Sequence, residues 1–272
     1  MNDYRALRFD ELCSALEQPA PTQILFHRGP DADAVGSAFA LRLLLAELGS
    51  PAYCLCANEV PERLRFLSAP WQESVLPDSL PADFAAQRVL SVDVASPNQL
   101  GELWELYGDR VDIMIDHHQN GSVFADHFVL GKAAATGEIL FDLVKYFAEQ
   151  GRFHITDALC VLLYSAISSD TGGFRYSNVT PETHERAAQL VASGIDCAAI
   201  NHQLFEGRSM EQLKAISAGI SNLHVFGNGS VAVILFPYAL KAALGLADEH
   251  LETLVEIARS LHPETAGEET AF

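Results

Sequence analysis

Histidine and aspartate residues cluster near the N-terminal end of the sequence, in the stretch HRGPDADAVGS. His27, Asp31 and Asp33 fall within seven residues of one another there. In a loop, such close spacing lets an imidazole and carboxylates converge on one metal ion. Asp33 has a structural alternative, because its position taken alone favours a cap on the N-terminus of the helix that follows.

Three more groups of candidate ligands occur further along the chain. They are Asp93 at the end of LSVD, the run Asp116-His117-His118 at the end of VDIMID, and Asp170 in SSDTGGF. All the groups together exceed the needs of one structural zinc and suit two metal ions that share a carboxylate. Oxygen and nitrogen donors without thiolates favour manganese or a similar divalent ion.

Short apolar runs precede several of these residues and predict the strands that position them. The predicted strands cover residues 23–27, 52–56, 88–93 and 111–116, and the predicted helices between and after them cover 34–48, 134–149 and 156–168. This alternation predicts βαβ units and a parallel sheet. Ligands of such sheets bind outside the carboxyl ends of the strands, where His27, Asp93 and Asp116 lie. Each aspartate taken singly could also be a turn former.

The character of the sequence changes after Thr180. Pro181 begins a helical stretch that ends at Gly194. Beyond it, the patterns predict an amphipathic helix over 209–223, a strand over 230–236 and a final helix over 250–261. We therefore expect a smaller second unit in the C-terminal part of the chain.

Charge and hydropathy restrict the class of protein. A net charge of −19 is the wrong sign for holding long duplex DNA, although bound divalent cations could still attract a small phosphate ester. Neither a signal sequence nor a membrane span is predicted, and we expect a cytoplasmic protein. The five cysteines include Cys54 and Cys56, which could be a metal pair but fit better as buried strand residues in a reducing compartment.

The order of the motifs along the chain resembles that of a known superfamily. His-x-x-x-Asp-x-Asp, then Asp, then Asp-His-His, then Ser-Asp-Thr-Gly resembles the four motifs of the DHH phosphoesterases, over roughly residues 20–236. The chain looks most like the nano-RNase/pAp-phosphatase group, because DTGGFRYSN and LFEGRSMEQLK match its usual pattern. RecJ-type exonucleases and family II inorganic pyrophosphatases share the metal motifs but look more distant.

The resemblance implies a fold and a metal centre. The fold would be a doubly wound α/β catalytic domain over 1–180, a linker helix over 181–200 and a partial DHH-associated substrate-binding domain over 201–272. The metal centre would hold two divalent ions, with Mn²⁺ expected and Mg²⁺ or Co²⁺ as alternatives. The two ligand sets share Asp93 as the bridge. They are His27, Asp31 and Asp93 for one ion, and Asp33, Asp93, His117 and Asp170 for the other.

The resemblance also implies residues that act on the substrate. His118 would face the scissile phosphate, and Asp116 would orient the adjacent imidazole. Arg175 would contact a substrate phosphate through its guanidinium, with a surface salt bridge as the alternative.

The implied activity is metal-dependent hydrolysis of short oligoribonucleotides or of nucleotide bisphosphates such as 3′-phosphoadenosine 5′-phosphate. Alternatives are a cyclic- or linear-dinucleotide phosphodiesterase, and a nucleotide-binding module with weak turnover. Two departures bear on this choice: Ala32 replaces a glycine common in the first motif, and the Gly-rich motif ending in His is absent, which predicts weak substrate affinity. The expected partner is a small nucleotide or short oligonucleotide, with no long duplex DNA and no membrane, and a homodimer is left open.

Overall fold

The computed structural model divides the chain into two compact units. The first covers Met1–Leu204 and the second Phe205–Phe272. The structure describes residues 4–68, 74–227, 229–251 and 253–261. Across these residues, no helix combines the length and the apolar character that crossing a bilayer requires.

The first unit is built on a five-stranded sheet in which every strand pair is parallel. The strand order is β2-β1-β3-β4-β5. The strands are β1 (Thr22–Leu25), β2 (Ala52–Leu55), β3 (Arg88–Val92), β4 (Ile113–Asp116) and β5 (Asp126–Val129). The predicted α/β class with a mainly parallel sheet is therefore confirmed, and its order is one of the common doubly wound arrangements.

The helices of this unit connect and cover the strands. They are α1 (Phe9–Glu17), α2 (Ala32–Glu47), α3 (Arg65–Ser68), α4 (Glu102–Tyr107), α5 (Thr136–Glu149), α6 (Asp157–Asp170), α7 (Pro181–Val191) and α8 (Cys197–Asn201). The strands β1 and β3 are buried along their whole length, as expected for a parallel sheet with both faces covered.

The close packing of α2 against α6 fixes the two helix ends that carry the predicted metal ligands Asp33 and Asp170. Gly36 makes this approach feasible, because a Cβ at that position would lie 2.5 Å from the carbonyl oxygen of Leu162. Asp33 belongs to the first turn of α2, and Asp170 is the last residue of α6. A shift of one helix along the other would therefore move these two carboxylates apart.

The second unit contains helices and one small antiparallel sheet. Its elements are α9 (Met210–Ser221), β6 (Leu223–Phe226), β7 (Val231–Ile234), α10 (Tyr238–Ala243) and α11 (Leu254–Arg259). The strands β6 and β7 pair antiparallel.

Several predicted boundaries were wrong, and two strands were missed. The helix predicted over 209–223 ends at Ser221, and β6 begins two residues later. The last helix begins at Leu254, not at 250. The other missed strand is β5, an edge strand whose polar Asp126 and His127 hid it from a search for apolar runs.

Candidate metal centre

The predicted ligands from the sheet lie where sequence reasoning expected them, at the carboxyl ends of neighbouring strands. His27 follows β1, Asp93 follows β3 directly, and Asp116 ends β4 and is followed by His117. In this strand order, β1 and β3 form the point at which successive connections leave in opposite directions. A crevice at that point is the usual ligand site of open α/β sheets.

The two aspartates of the first motif have different local roles. Asp31, not Asp33, is the N-cap of α2, and its side chain accepts a hydrogen bond from the Ala34 amide at 3.0 Å. The structural alternative for Asp33, a cap on its own helix, is therefore wrong. Its carboxylate instead accepts the amides of Thr136 at 2.7 Å and Gly137 at 2.8 Å, so that it caps α5 from a distance.

Asp93 lies at the centre of the cluster and is 2% exposed. Its two carboxylate oxygens face different histidines: Oδ2 lies 3.7 Å from His27 Nε2, and Oδ1 lies 3.7 Å from His117 Nε2. The backbone at Asp93 has a φ of 58°, which is rare outside glycine. Such strained residues concentrate at functional sites, because the surrounding structure must hold them in place.

The first ligand group consists of His27, Asp31 and Asp93. Nε2 of His27 lies 3.6 Å from Oδ1 of Asp31. Nδ1 of the same ring is 3.0 Å from the carbonyl oxygen of Arg28, which favours a proton on Nδ1 and leaves Nε2 as the donor to a cation. The structure thus brings together the residues predicted for one ion.

The second group consists of Asp33, His117 and Asp170. Nε2 of His117 lies 3.2 Å from Oδ2 of Asp170 and 3.9 Å from Oδ2 of Asp33. Although Asp170 is close, this buried nitrogen has no well-aligned hydrogen-bond partner within the described residues. Its ring is oriented by Nδ1, which lies 3.3 Å from the carbonyl oxygen of Ala133.

The electrostatics of the cluster fit a missing positive charge. Burial and neighbouring carboxylates raise the pKa of Asp93 and that of Asp170 to about 7, and burial raises the pKa of Asp33 well above its usual value. Burial lowers the pKa of each ligand histidine, but nearby carboxylates outweigh it, to about 9 for His27 and about 10 for His117. Without a cation these groups share protons, and a divalent ion would replace them.

Asp116 orients the ring of His118, whereas the ring of His117 is oriented by the carbonyl oxygen of Ala133. Oδ1 of Asp116 accepts hydrogen bonds from the backbone amide of His117 at 2.9 Å and from Nδ1 of His118 at 2.7 Å. This hydrogen bond to Asp116 raises the pKa of His118. The His118 side chain is 40% exposed, and its Nδ1 also lies 3.9 Å from Oδ1 of Asp93, which makes it a member of a third candidate group with Asp93 and His117.

Arg175 lies in the turn that follows α6, five residues beyond Asp170. It is exposed, and its Nε donates a hydrogen bond to the carbonyl oxygen of Gly172. Its predicted contact with a substrate phosphate stays a prediction. Cys54 and Cys56 belong to none of the candidate metal groups of the described residues, and both are buried.

Sequence reasoning missed the residues that support the ligands. The Thr136 hydroxyl donates a hydrogen bond to Oδ1 of Asp93 at 2.9 Å. Asn178 donates from Nδ2 to the carbonyl oxygens of Ala134 and Asp170, at 3.0 Å each. The run of small residues before Thr136, in AAATGE, was the only signal of a tightly packed turn at this place.

Comparison with known proteins agrees with this geometry. A sequence model described as DHH family, N-terminal domain, matches residues 22–167. The chain is 31% identical over 198 residues to the bifunctional oligoribonuclease and PAP phosphatase NrnA of Thermus thermophilus, a match that covers 71% of this chain and 56% of that protein. It is 28% identical over 230 residues to the probable NrnA of Streptococcus mutans, covering 84% of this chain and 70% of that protein.

A solved structure shares the fold at low sequence identity. The exopolyphosphatase-related protein of Bacteroides fragilis superposes with a TM-score of 0.82 and 22% identity, covering 93% of this chain and 76% of that one. The Thermus relative is longer than the segment matched, since the chain spans little more than half of its length. The matching family model spans the sheet and most of the candidate ligands, and the chain belongs to the DHH family.

Proposed function

We propose that this chain is a divalent-metal-dependent phosphoesterase that acts on short oligoribonucleotides or nucleotide bisphosphates. One observation carries the proposal: the two oxygens of the buried Asp93 face two different histidines, and each histidine has at least one further carboxylate beside it. A carboxylate so placed suits a bridge between two cations, and paired cations are a common device for cleaving phosphate esters.

The residues present fit such a pair. Nε2 of His117 is a buried nitrogen with no well-aligned partner among the residues that the structure describes, and the donor set of oxygen and nitrogen atoms suits Mn²⁺, Mg²⁺ or Co²⁺. When bound, two such ions polarise a phosphoryl oxygen and lower the pKa of an attacking water. His27, Asp31 and Asp93 would hold one ion, and Asp33, Asp93, His117 and Asp170 the other.

His118 is the residue we assign to the substrate. Nδ1 of His118 lies 2.7 Å from Oδ1 of Asp116, and this hydrogen bond raises the pKa of the ring, which favours its protonated form. Nε2 of the protonated ring could then donate a hydrogen bond to a phosphoryl oxygen or a proton to the leaving oxygen. Arg175 would add a guanidinium contact to a second phosphate of the substrate.

The substrate class follows from the relatives. The similar protein from Thermus is named as a bifunctional oligoribonuclease and PAP phosphatase, and that from Streptococcus as a probable one. Both activities cleave a phosphate ester in a small nucleotide. The acidic net charge of −19 agrees with a small substrate held at a cation centre better than with a long polyanion bound along a surface.

A substrate panel with added Mn²⁺ tests the proposal. The panel contains a diribonucleotide, 3′-phosphoadenosine 5′-phosphate, a cyclic dinucleotide and pyrophosphate, with products separated by chromatography. We expect turnover of the first two, abolished by chelator and restored by Mn²⁺. Asp170→Asn should abolish it, and Asp157→Asn, at the exposed beginning of the same helix, should not.

The same panel separates the alternatives. Preferential cleavage of the cyclic dinucleotide would replace the proposed substrates with a cyclic-dinucleotide phosphodiesterase. Calorimetric binding of the diribonucleotide without any product in the presence of Mn²⁺, Mg²⁺ or Co²⁺ would indicate a nucleotide-binding module and contradict the proposal.

A further inference from the structure

One short turn contacts three of the six predicted metal ligands directly and is connected to a fourth through Asn178. The turn covers residues 133–137, which follow β5 and include the first two residues of α5, and we call it the ligand-support turn. The carbonyl oxygen of Ala133 lies beside Nδ1 of His117, and the backbone amides of Thr136 and Gly137 donate hydrogen bonds to Asp33. The Thr136 hydroxyl donates a hydrogen bond to Asp93. Asn178 connects the turn to the fourth ligand, since its amide bridges the carbonyl oxygens of Ala134 and Asp170.

The turn is held rigidly against the helices that carry the ligands. Thr136 is fully buried. Gly137 is in such close contact that an added Cβ would lie 2.6 Å from the Cβ of Ala166. The Ala134 amide donates a hydrogen bond to the buried carboxylate of Glu138 at 3.2 Å, which connects the beginning of the turn to the first turn of α5. Movement of Thr136 away from Asp93 would therefore require repacking of α5 against α6.

The Thr136 hydroxyl is the one side-chain group of this turn that touches a predicted ligand. It donates to Oδ1 of Asp93, the oxygen that faces His117, and Oδ2 remains directed at His27. A carboxylate that bridges two ions must present one oxygen to each, and its torsion about the Cβ–Cγ bond is otherwise broad. A hydrogen bond to one oxygen restricts this torsion.

We propose that Thr136 is a positioning residue of the metal centre, whose hydroxyl holds the Asp93 carboxylate with one oxygen toward each histidine. Loss of the hydroxyl leaves Asp93 able to rotate and to bind one ion as a terminal ligand. The first ion should then bind with little change, and the second should bind more weakly. The inference rests on the proposed function in one respect only, that the site holds a pair of ions.

The test is a calorimetric Mn²⁺ titration of the metal-free full chain, with stoichiometry checked by elemental analysis after dialysis. Thr136→Val removes the hydroxyl and keeps the branched shape and the backbone amide, and Thr136→Ser restores the hydroxyl. Thr22→Val is the matched control, because Thr22 is also fully buried but begins β1 at the opposite edge of the sheet. If Thr136→Val does not fold, Thr136→Ala and Thr22→Ala replace the pair.

We expect the wild type to bind two Mn²⁺, and Thr136→Val to bind the second about 10- to 100-fold more weakly. Thr136→Ser and Thr22→Val should resemble the wild type in both binding steps. Unchanged affinity at both steps in Thr136→Val, beside a wild type that binds two ions, would overturn the positioning role and leave the proposed function standing. A wild type that binds fewer than two ions would overturn both.

Discussion

At the scale of single residues, the candidate centre concentrates carboxylates whose negative charge a bound cation would neutralise. Asp33 and Asp93 are buried, and each accepts hydrogen bonds that fix its orientation. Asp93 also keeps an unfavourable positive φ. Strain and buried charge of this kind cost stability and persist where a bound group or a function compensates.

Proton release on metal binding follows from the raised pKa values. Asp93, with a pKa of about 7, binds its proton more tightly in the folded chain than in the unfolded chain. Its protonated form therefore contributes to the free energy of unfolding at acid pH, and this contribution is lost as pH rises through about 7. The same sign holds for His27 as pH rises through about 9. The metal-free chain should therefore become less stable from acid to alkaline pH, while Mn²⁺ binds more tightly.

Thermal unfolding with and without Mn²⁺ checks this expectation. The increase in Tm on adding a fixed excess of Mn²⁺ should be larger at about pH 8 than at about pH 6, because metal binding displaces protons. Mn²⁺ titrations in buffers of different ionisation enthalpy should reveal the released protons. An increase in Tm that is the same at both pH values would contradict the proton assignment.

At the scale of elements, the two ends of β3 have different roles: one leads to the candidate metal centre, and the other carries an arginine that stabilises the fold. Asp93 follows the end of the strand, and Arg88 begins it at the opposite edge of the sheet. The guanidinium of Arg88 donates to the carbonyl oxygens of Ala15 and Gln18, at the end of α1, and to the hydroxyl of Thr22. Arg88 thus satisfies carbonyl groups that the end of a helix leaves without partners.

Arg88→Met should destabilise the fold without altering the metal centre. Arg88 is 8% exposed, and its loss would leave buried acceptors without donors. We expect a decrease of about 3 kcal/mol in the free energy of unfolding, from several hydrogen bonds to a charged group. Denaturant unfolding measures it, and Mn²⁺ affinity should stay unchanged in the folded variant.

The control is Arg152→Met. Arg152 forms a more exposed ion pair with Glu17, also at the end of α1, and such pairs contribute at most about 1 kcal/mol. An equal decrease in the free energy of unfolding for the two substitutions would show that the buried hydrogen bonds of Arg88 stabilise the fold no more than an exposed ion pair does.

The sequence predicts the elements where apolar runs are continuous. The strands β1, β3 and β4 are buried, and candidate ligands lie at or shortly after their ends, so the positions of the strands and the closeness of those side chains could be predicted. The strand β5 could not, because Asp126 and His127 interrupt the apolar pattern and the pairing with β4 is a tertiary property.

The supporting residues of the site could not be predicted for a related reason. Asp33 caps α5, whose first residue is more than 100 positions away, and Thr136 contacts Asp93 across 43 positions. Neither distance leaves a pattern in the local sequence. The alternative that Asp33 caps its own helix does not hold, because Asp31, two residues earlier, has the backbone conformation that a cap requires.

At the scale of the whole molecule, the negative net charge opposes the approach of an anionic substrate. The chain carries 36 acidic and 17 basic residues. All the predicted ligands and their supporting residues lie in the first unit. An anionic nucleotide must therefore approach through a repulsive field that salt screens over about 10 Å at moderate ionic strength.

Salt should accelerate the reaction with a multiply charged substrate. With Mn²⁺ kept saturating, kcat/KM for 3′-phosphoadenosine 5′-phosphate should rise severalfold between low and physiological KCl, because screening weakens the repulsion. A singly charged aryl phosphate diester is the control and should respond less. A fall in kcat/KM with salt for the bisphosphate would show that a local basic surface, and not the net charge, governs its approach.

The central claim is that Asp93 bridges two divalent ions, and metal stoichiometry tests it most directly. Mn²⁺ per chain should be measured by elemental analysis after equilibrium dialysis, for the wild type, Asp93→Asn and the exposed control Asp157→Asn. We expect two ions in the wild type and the control, and at most one in Asp93→Asn, together with loss of at least about 100-fold in turnover. Two tightly held ions and near-normal turnover in Asp93→Asn would contradict the account.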